Sequence, residues 1–172
     1  MELEQAVRTR RTHKVFGSEP VDPATLEELF ELARWAPNHQ LTNPWRFRVL
    51  GPQARAALEE AAEAEKPGSA VKLRRAPTLV VLSTVRDEDP SQDRDDLLAT
   101  AMAGYLVLLG ATARGLASYW RTLSVLDAPA GRAAISLPED EEPVGLLHLG
   151  LPRQPQIVPE RAPVADVVRY LD

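Results

Sequence analysis

Residues 97–113, LLATAMAGYLVLLGATA, form the longest uncharged run of the chain, bounded by Asp95 and Asp96 on one side and Arg114 on the other. A membrane span needs about 20 predominantly apolar residues, so the run reads as a buried core helix. Asp93, Asp95 and Asp96 at its start and Arg114 near its end complement the helix macrodipole. Gly115 is placed to terminate it. The spacing predicts one long helix over Asp93–Arg114, apolar nearly all round, which must be covered from several sides. In a chain of 172 residues this favours contact with a partner subunit. A helix sandwiched within a monomer is the plainer alternative.

Working outward, Thr78–Val85 (TLVVLSTV) is a continuous β-branched run, as expected of a strand covered on both faces. Trp45–Leu50 alternates Trp45, Phe47 and Val49 against Arg46 and Arg48, predicting a strand with one buried face. Val144–Leu149 is a third strand, and Leu116–Thr122 a strand or strand-like turn. The segment Glu2–Arg10 reads as a helix with Leu3, Ala6 and Val7 on one face, ending in Arg8, Arg10 and Arg11. Asp22-Pro23 is a helix start, with Asp as cap and Pro at the first helical position. Leu26, Leu29, Phe30 and Ala33 follow at helical spacing until Pro37. Pro52–Glu65 is an Ala- and Glu-rich surface helix, and Asp127–Ile135 a short helix capped by Asp127. Glu139–Glu142 reads as a solvated acidic turn between two prolines, and the tail after Pro163 receives no assignment. Helices separate the strands, but less regularly than a doubly wound sheet demands. The expectation is an α/β or α+β layer fold in one domain over residues 1–172.

Composition narrows the function. Lys plus Arg is 20 and Asp plus Glu 25, a net charge of −5, against the basic excess of a nucleic-acid binder. With 44% hydrophobic and 26% charged residues the composition is globular. There is no cysteine, which removes disulfides, thiolate zinc sites, iron–sulfur clusters and thiol nucleophiles. No apolar leader is visible near Glu2, Glu4 and Arg8, so the expected setting is cytoplasmic. His13, His39 and His148 lack metal-ligand spacing. No dinucleotide-binding glycine motif, phosphate-binding P-loop or serine elbow occurs. Any enzymatic chemistry is expected to come from a bound cofactor.

Three clusters carry polar chemistry. Arg10, Arg11 and Thr12 can surround a phosphate with charge-assisted hydrogen bonds; a basic helix end that satisfies carbonyls is the bland alternative. The stretch 35–47, WAPNHQLTNPWRF, sets Asn38, His39, Gln40 and Asn43 beside aromatic surface, a lining suited to a flat heterocycle, or else an ordinary capped turn. Residues 115–122, GLASYWRT, place Trp120, Arg121 and Thr122 just after the long helix, a stacking surface with polar neighbours or simply an edge strand.

Taken in order along the chain, RTRRTHKVF (8–16), LARWAPNHQLTNPWRFRVL (32–50), RRAPTLVVLS (74–83), ATARGLASYWRT (111–122) and EEPVGLLHLGLPRQ (141–154) resemble the flavin-dependent nitroreductase family. The resemblance is greatest to its short YdjA-like NAD(P)H nitroreductases and extends from about residue 3 to residue 168. It implies an α+β nitroreductase-like sandwich, a mixed sheet flanked by helices, in an intertwined homodimer with FMN at the interface. Carried over by position, it assigns Arg10, Arg11 and Thr12 to the phosphate. It assigns Trp35, His39, Trp120, Arg121 and Thr122 to the flavin surroundings, with no metal and no catalytic amino-acid side chain. Two positions depart from the pattern: Trp35 where short relatives carry a polar or basic residue, and Leu123 where glycine often follows. Arg161 is a weaker match to a phosphate contact and lies outside the set. The implied reaction is ping-pong hydride transfer from NADH or NADPH through FMN to a nitroaromatic, quinone or similar small acceptor, with no membrane or nucleic-acid partner. Its rivals are a non-catalytic FMN-binding or storage protein on the same fold, a cofactor-free helical interaction module, and a more specialised flavin chemistry.

Overall fold

The computed structural model describes residues 1–171. Five α-helices and four strands follow one another as α1 (Leu3–Thr9), α2 (Pro23–Ala33), β1 (Trp45–Val49), α3 (Pro52–Glu65), β2 (Thr78–Val85), α4 (Pro90–Ala113), β3 (Ala117–Arg121), α5 (Pro129–Ala134) and β4 (Glu141–Gly150). The strands form one sheet in the order β1-β2-β4-β3. All three pairings are antiparallel. The parallel component expected of a mixed sheet is confined to an isolated bridge, Thr12 to Ser118, beside the edge strand β3.

The two faces of the sheet pack differently. Val80, Leu147 and Leu149 face α2 and α4, against Leu29, Ala103 and Val107. Leu79, Val81 and Leu146 face α3 and α5, against Leu58, Leu73 and Val125. This double cover is what the continuous β-branched run of β2 requires. Trp45 pairs with Thr84, Val85 with Glu141, and Arg121 with Leu146. The start of β1, the turn into α4 and the exit of β3 therefore gather toward one end of the sheet.

The helix α4 starts earlier than its aspartates imply. Asp89 caps it through Ser91 N at 2.9 Å, and Pro90 occupies the first turn. Asp93 is in the first turn, but Asp96 lies a full turn further on and is buried, with a different task described below. Gly115, at φ +73°, ends the helix as expected. By length and composition α4 could cross a membrane; here it is a core helix, with 56% of its most apolar stretch buried.

Several local expectations need correction. On α1 only Ala6 is buried, while Leu3 and Val7 remain exposed, because the helix touches the body along a single line. The alternation of β1 breaks at its end: Val49 is exposed and Arg48 turns inward to a carboxylate. That carboxylate is Glu141, and the acidic run is therefore not wholly a solvated turn, since Glu141 and Glu142 begin β4. On α5 the cap position is Ala128, without a side-chain bond, and not Asp127. The surface helix α3 buries Leu58 and Ala62. The unassigned tail contains one 3₁₀ turn, Val164–Asp166, and is almost wholly exposed.

Candidate functional site

Arg10 ends α1, its backbone N–H closing the helix on the Ala6 carbonyl. The chain then extends, and Thr12 bridges Ser118 while His13 N donates to Ser118 O at 3.0 Å. This docking against the sheet edge fixes the two arginines. Arg10 and Arg11 line a cleft of about 520 Å³ together with Arg8, Tyr105 of α4, Val158 and Arg161. Arg8 is neutralised by Glu4 at 2.8 Å. Among the described residues no carboxylate lies within ion-pair distance of Arg10, Arg11 or Arg161. Arg11 spends one N–H on the Arg10 carbonyl at 2.7 Å, and its Nε is buried with no partner. Three uncompensated guanidinium groups in one cleft make a site for a dianion, and the seven-residue α1 is too short for its negative end to outweigh them.

The second cluster is built on strain and a buried acid. Gln40, Leu41 and Asn43 all have positive φ, at 56°, 55° and 50°. Conformations of this kind persist only where the surroundings over-determine them. Asn38 Oδ1 accepts from Asn43 N at 2.6 Å, and Asn38 Nδ2 donates to Thr42 Oγ1 at 3.0 Å. Thr42 Oγ1 donates in turn to Asp96 Oδ1 at 2.5 Å, which also accepts from Gln92 Nε2 at 2.9 Å. Asp96, 3% exposed, thus ties the loop to α4. The loop holds His39 and Leu41 outward, and Trp35, 75% exposed, projects from the end of α2 with its Nε1 on Glu31 at 3.2 Å.

The third cluster divides. Trp120 and Arg121 leave β3 on opposite faces. Trp120 lies on the α4 side, where Gly104 and Gly145 leave room for its ring: a Cβ on either would overlap the indole. Its Nε1 donates to Val144 O at 3.3 Å. Arg121 lies on the α3 side, its guanidinium 4.3 Å from the centre of the Tyr119 ring. Thr122 is exposed at the rim of a separate cleft with Asp127 and Gly145.

Within one chain, then, the structure brings Arg10 and Arg11 together, seats Thr12 nearby on the edge of β3, and leaves Trp35 and His39 apart. Asp96 and Tyr105 are nine residues apart on α4. At 100° per residue that puts them on opposite sides of the helix, separated by a rise of about 13.5 Å. Tyr105 and Asp96 escaped the sequence reading. Tyr105 left one signal, a phenol within an otherwise uncharged helix; Asp96 left none, because its partners Asn38 and Thr42 are far away in sequence.

The sequence profile of the nitroreductase family matches residues 7–151. YfhC of Bacillus subtilis, named as an NAD(P)H nitroreductase, is 26% identical over 177 residues, covering 95% of this chain and 91% of its own. YdjA of Escherichia coli K12, also so named, is 27% identical over 139 residues, covering 74% and 76%. Among solved structures, a nitroreductase-like family protein from Bacillus cereus superposes with a TM-score of 0.90 at 23% identity, over 100% of this chain and 97% of the other. The FMN and NADPH-dependent nitroreductase NfnB from Sphigopyxis sp. strain HMH gives 0.84 at 19% identity, over the whole of both chains. At these identities the structural likeness speaks for the fold.

Proposed function

The chain belongs to the nitroreductase family, and from that premise we propose that it is a single-domain, FMN-dependent NAD(P)H oxidoreductase working as a homodimer. The observation that carries the reading is the cleft of Arg10, Arg11 and Arg161, whose buried and unpartnered Arg11 Nε suits a phosphate monoester. These three residues hold the phosphate, with Thr12 beside them on the sheet edge. When bound, the flavin supplies hydride acceptance from NADH or NADPH and, in a second half-reaction, delivery to a nitroaromatic, quinone or similar acceptor. The protein's own part is to bind and orient. Arg10 and Arg11 anchor the phosphate end, and Trp120, fixed between Gly104 and Gly145, gives the neighbouring wall a single shape.

What one chain leaves uncovered supports the homodimer. Leu98, Met102 and Tyr105 recur at i, i+4 and i+7 on the side of α4 turned away from the sheet, and all three are exposed. Ile157, Val158, Val167 and Tyr170 of the tail are exposed as well, with Tyr170 at 95%. Apolar surface of this extent marks an interface. Trp35 and His39 lie apart from the arginine cleft within one chain, so in the proposed dimer their part in the flavin site falls to the partner subunit. The proposed interface centres on Leu98 and Met102 and not on Leu108, which is buried inside its own subunit.

The test is an absorbance spectrum of the purified protein supplied with FMN, before and after NAD(P)H, with sedimentation of the same sample. The expected result is a yellow dimer bleached by the nucleotide and recoloured by a quinone. A colourless protein overturns the cofactor, and a yellow protein that NAD(P)H never bleaches favours flavin storage.

A further inference from the structure

A second basic cleft lies on the α3 side of the sheet and shares no lining residue with the cleft of Arg10, Arg11 and Arg161. Its volume is about 500 Å³, and it is walled by Phe16, Arg55, Arg74, Arg75, Pro77 and Arg153. No carboxylate among the described residues lines it. Arg55 and Arg74 share Glu59, at 3.1 and 2.7 Å, and Arg55 also donates to the carbonyls of Leu73 and Pro77. These bonds fix the wall. They leave Arg75 and Arg153 with no hydrogen-bond or ion-pair partner among the described residues.

The ground behind the cleft is equally short of negative charge. Phe16 packs on the His148 ring at 6.5 Å, and Tyr119 on its other neighbourhood at 5.8 Å. Both nitrogens of His148 and Nε of Arg121 are buried without partners. Burial, then the charges of Arg121, Arg55 and Arg75, push the His148 imidazole down to about 3 and keep it neutral. Burial likewise lowers the Arg121 guanidinium, and Arg75 adds to the effect. Like charges collected at the edge of a core, in a chain whose net charge is −5, raise the energy of the empty site and lower it when an anion enters.

We propose that this cleft binds a small polyphosphorylated ligand, a pyrophosphate or nucleoside polyphosphate, through Arg75 and Arg153 with Arg55 and Arg74 as the fixed wall. Its size is that of an ordinary small-molecule site. Two free guanidinium forks beside two anchored ones match adjacent phosphoryl groups better than a single carboxylate. The proposal does not rest on the flavin reading, because it shares no residue with the Arg10 and Arg11 cleft.

The experiment is calorimetric titration of the FMN-loaded protein with inorganic pyrophosphate, then with ATP, at low and moderate salt. The variants are Arg75→Ala with Arg153→Ala, the exposed Arg153→Ala alone, and Arg10→Ala. The expected result is saturable, salt-sensitive binding that weakens at least about tenfold, or about 1.4 kcal/mol, in the double variant. Arg153→Ala alone gives a smaller loss, flavin content stays constant in both, and Arg10→Ala keeps its pyrophosphate affinity. Tighter binding of ATP than of pyrophosphate identifies a nucleotide; equal affinity identifies the phosphate chain itself. Unchanged affinity in the double variant, a loss seen only in Arg10→Ala, or no saturable binding up to about 10 mM ligand overturns the proposal.

Discussion

Arg48 and Arg11 are both partly buried guanidinium groups, yet their surroundings could hardly differ more. Arg48 is satisfied. It holds Glu141 bidentately at 2.6 and 2.8 Å and donates to Ser83 Oγ at 2.8 Å, while Ser83 Oγ donates to Glu141 at 2.5 Å. Arg11 meets one carbonyl, and its Nε meets nothing. A closed arrangement of this kind ties the three neighbouring strands β1, β2 and β4 together and has no capacity left over. An open one keeps its hydrogen-bonding capacity for a molecule that arrives later. The contrast separates arginines that serve the fold from those that serve a ligand, in a chain where both kinds are abundant.

Breaking the closed arrangement gives the largest effect. Arg48→Met leaves Glu141 buried without its cation, and truncating one partner of a buried pair costs about 3–5 kcal/mol. The check is chemical denaturation, with flavin content per folded protein unchanged. Glu141→Gln in the same chain restores part of the loss. Acid sharpens the point. Burial alone raises the Glu141 carboxyl, but hydrogen bonds from Arg48 and Ser83 outweigh it and hold the group below its usual value of 4.5. The contribution is therefore complete above pH 4.5 and disappears as pH falls through the lower folded-state value. A double Met/Gln variant loses this part of the acid sensitivity.

Opening the other side of the comparison moves binding and leaves folding nearly alone. Arg10→Ala with Arg11→Ala removes two charge-assisted contacts, each worth about 1.5–3 kcal/mol, so flavin affinity drops at least about a hundredfold. The midpoint of denaturation measured without flavin barely moves, because no ion pair is broken. A large loss of apo stability with flavin affinity intact would place Arg11 with Arg48 on the structural side.

The sequence carried the ends of this contrast unequally. Thr78–Val85, Pro52–Glu65 and the stop at Gly115 were legible, because periodicity and capping are local. The tandem arginines were legible as a cluster, but their freedom from acids was not. Glu4 takes Arg8 and leaves its neighbours open, and only three dimensions decide that. Arg48 read as the outward face of a strand, because the acid that turns it inward is 93 residues away. For the same reason Glu141 read as part of a solvated turn. Trp120 and Arg121 read as one cluster, although β alternation sends them to opposite faces of the sheet.

His148 tests a middle case, a buried polar group that is neither paired nor open to water. Its folded-state value near 3 lies below the unfolded 6.5, so the unfolded chain takes up a proton that the folded chain refuses. Stability therefore falls as pH drops from about 6.5 toward 3, with a slope of up to about 1.4 kcal/mol per pH unit. Urea denaturation at several pH values measures it, and His148→Leu flattens the slope between pH 6.5 and 4.5, above the range where Glu141 acts. An unchanged slope in that variant would assign the acid sensitivity elsewhere.

The smallest effect concerns a site that is closed for the sake of an open one. Thr42→Val removes the donor 2.5 Å from Asp96, while Gln92 keeps its own bond to the same oxygen. Two hydrogen bonds are lost, the one given to Asp96 and the one accepted from Asn38 Nδ2, each worth about 1 kcal/mol, but the loop is exposed enough to let water replace most of that. Yet three residues there hold positive φ, and the Asp96 tether is what over-determines them. Relaxing the tether frees Gln40 and Leu41 to return to ordinary backbone conformations, and His39 moves with them. Flavin affinity then weakens severalfold at nearly constant stability, and amide exchange quickens in residues 38–43 but not in β1. Thr42→Ser, which keeps the hydroxyl, restores both readouts. If valine and serine behave alike, the strained loop is fixed by its backbone alone, and Asp96 belongs with Glu141 among the acids that serve only the fold.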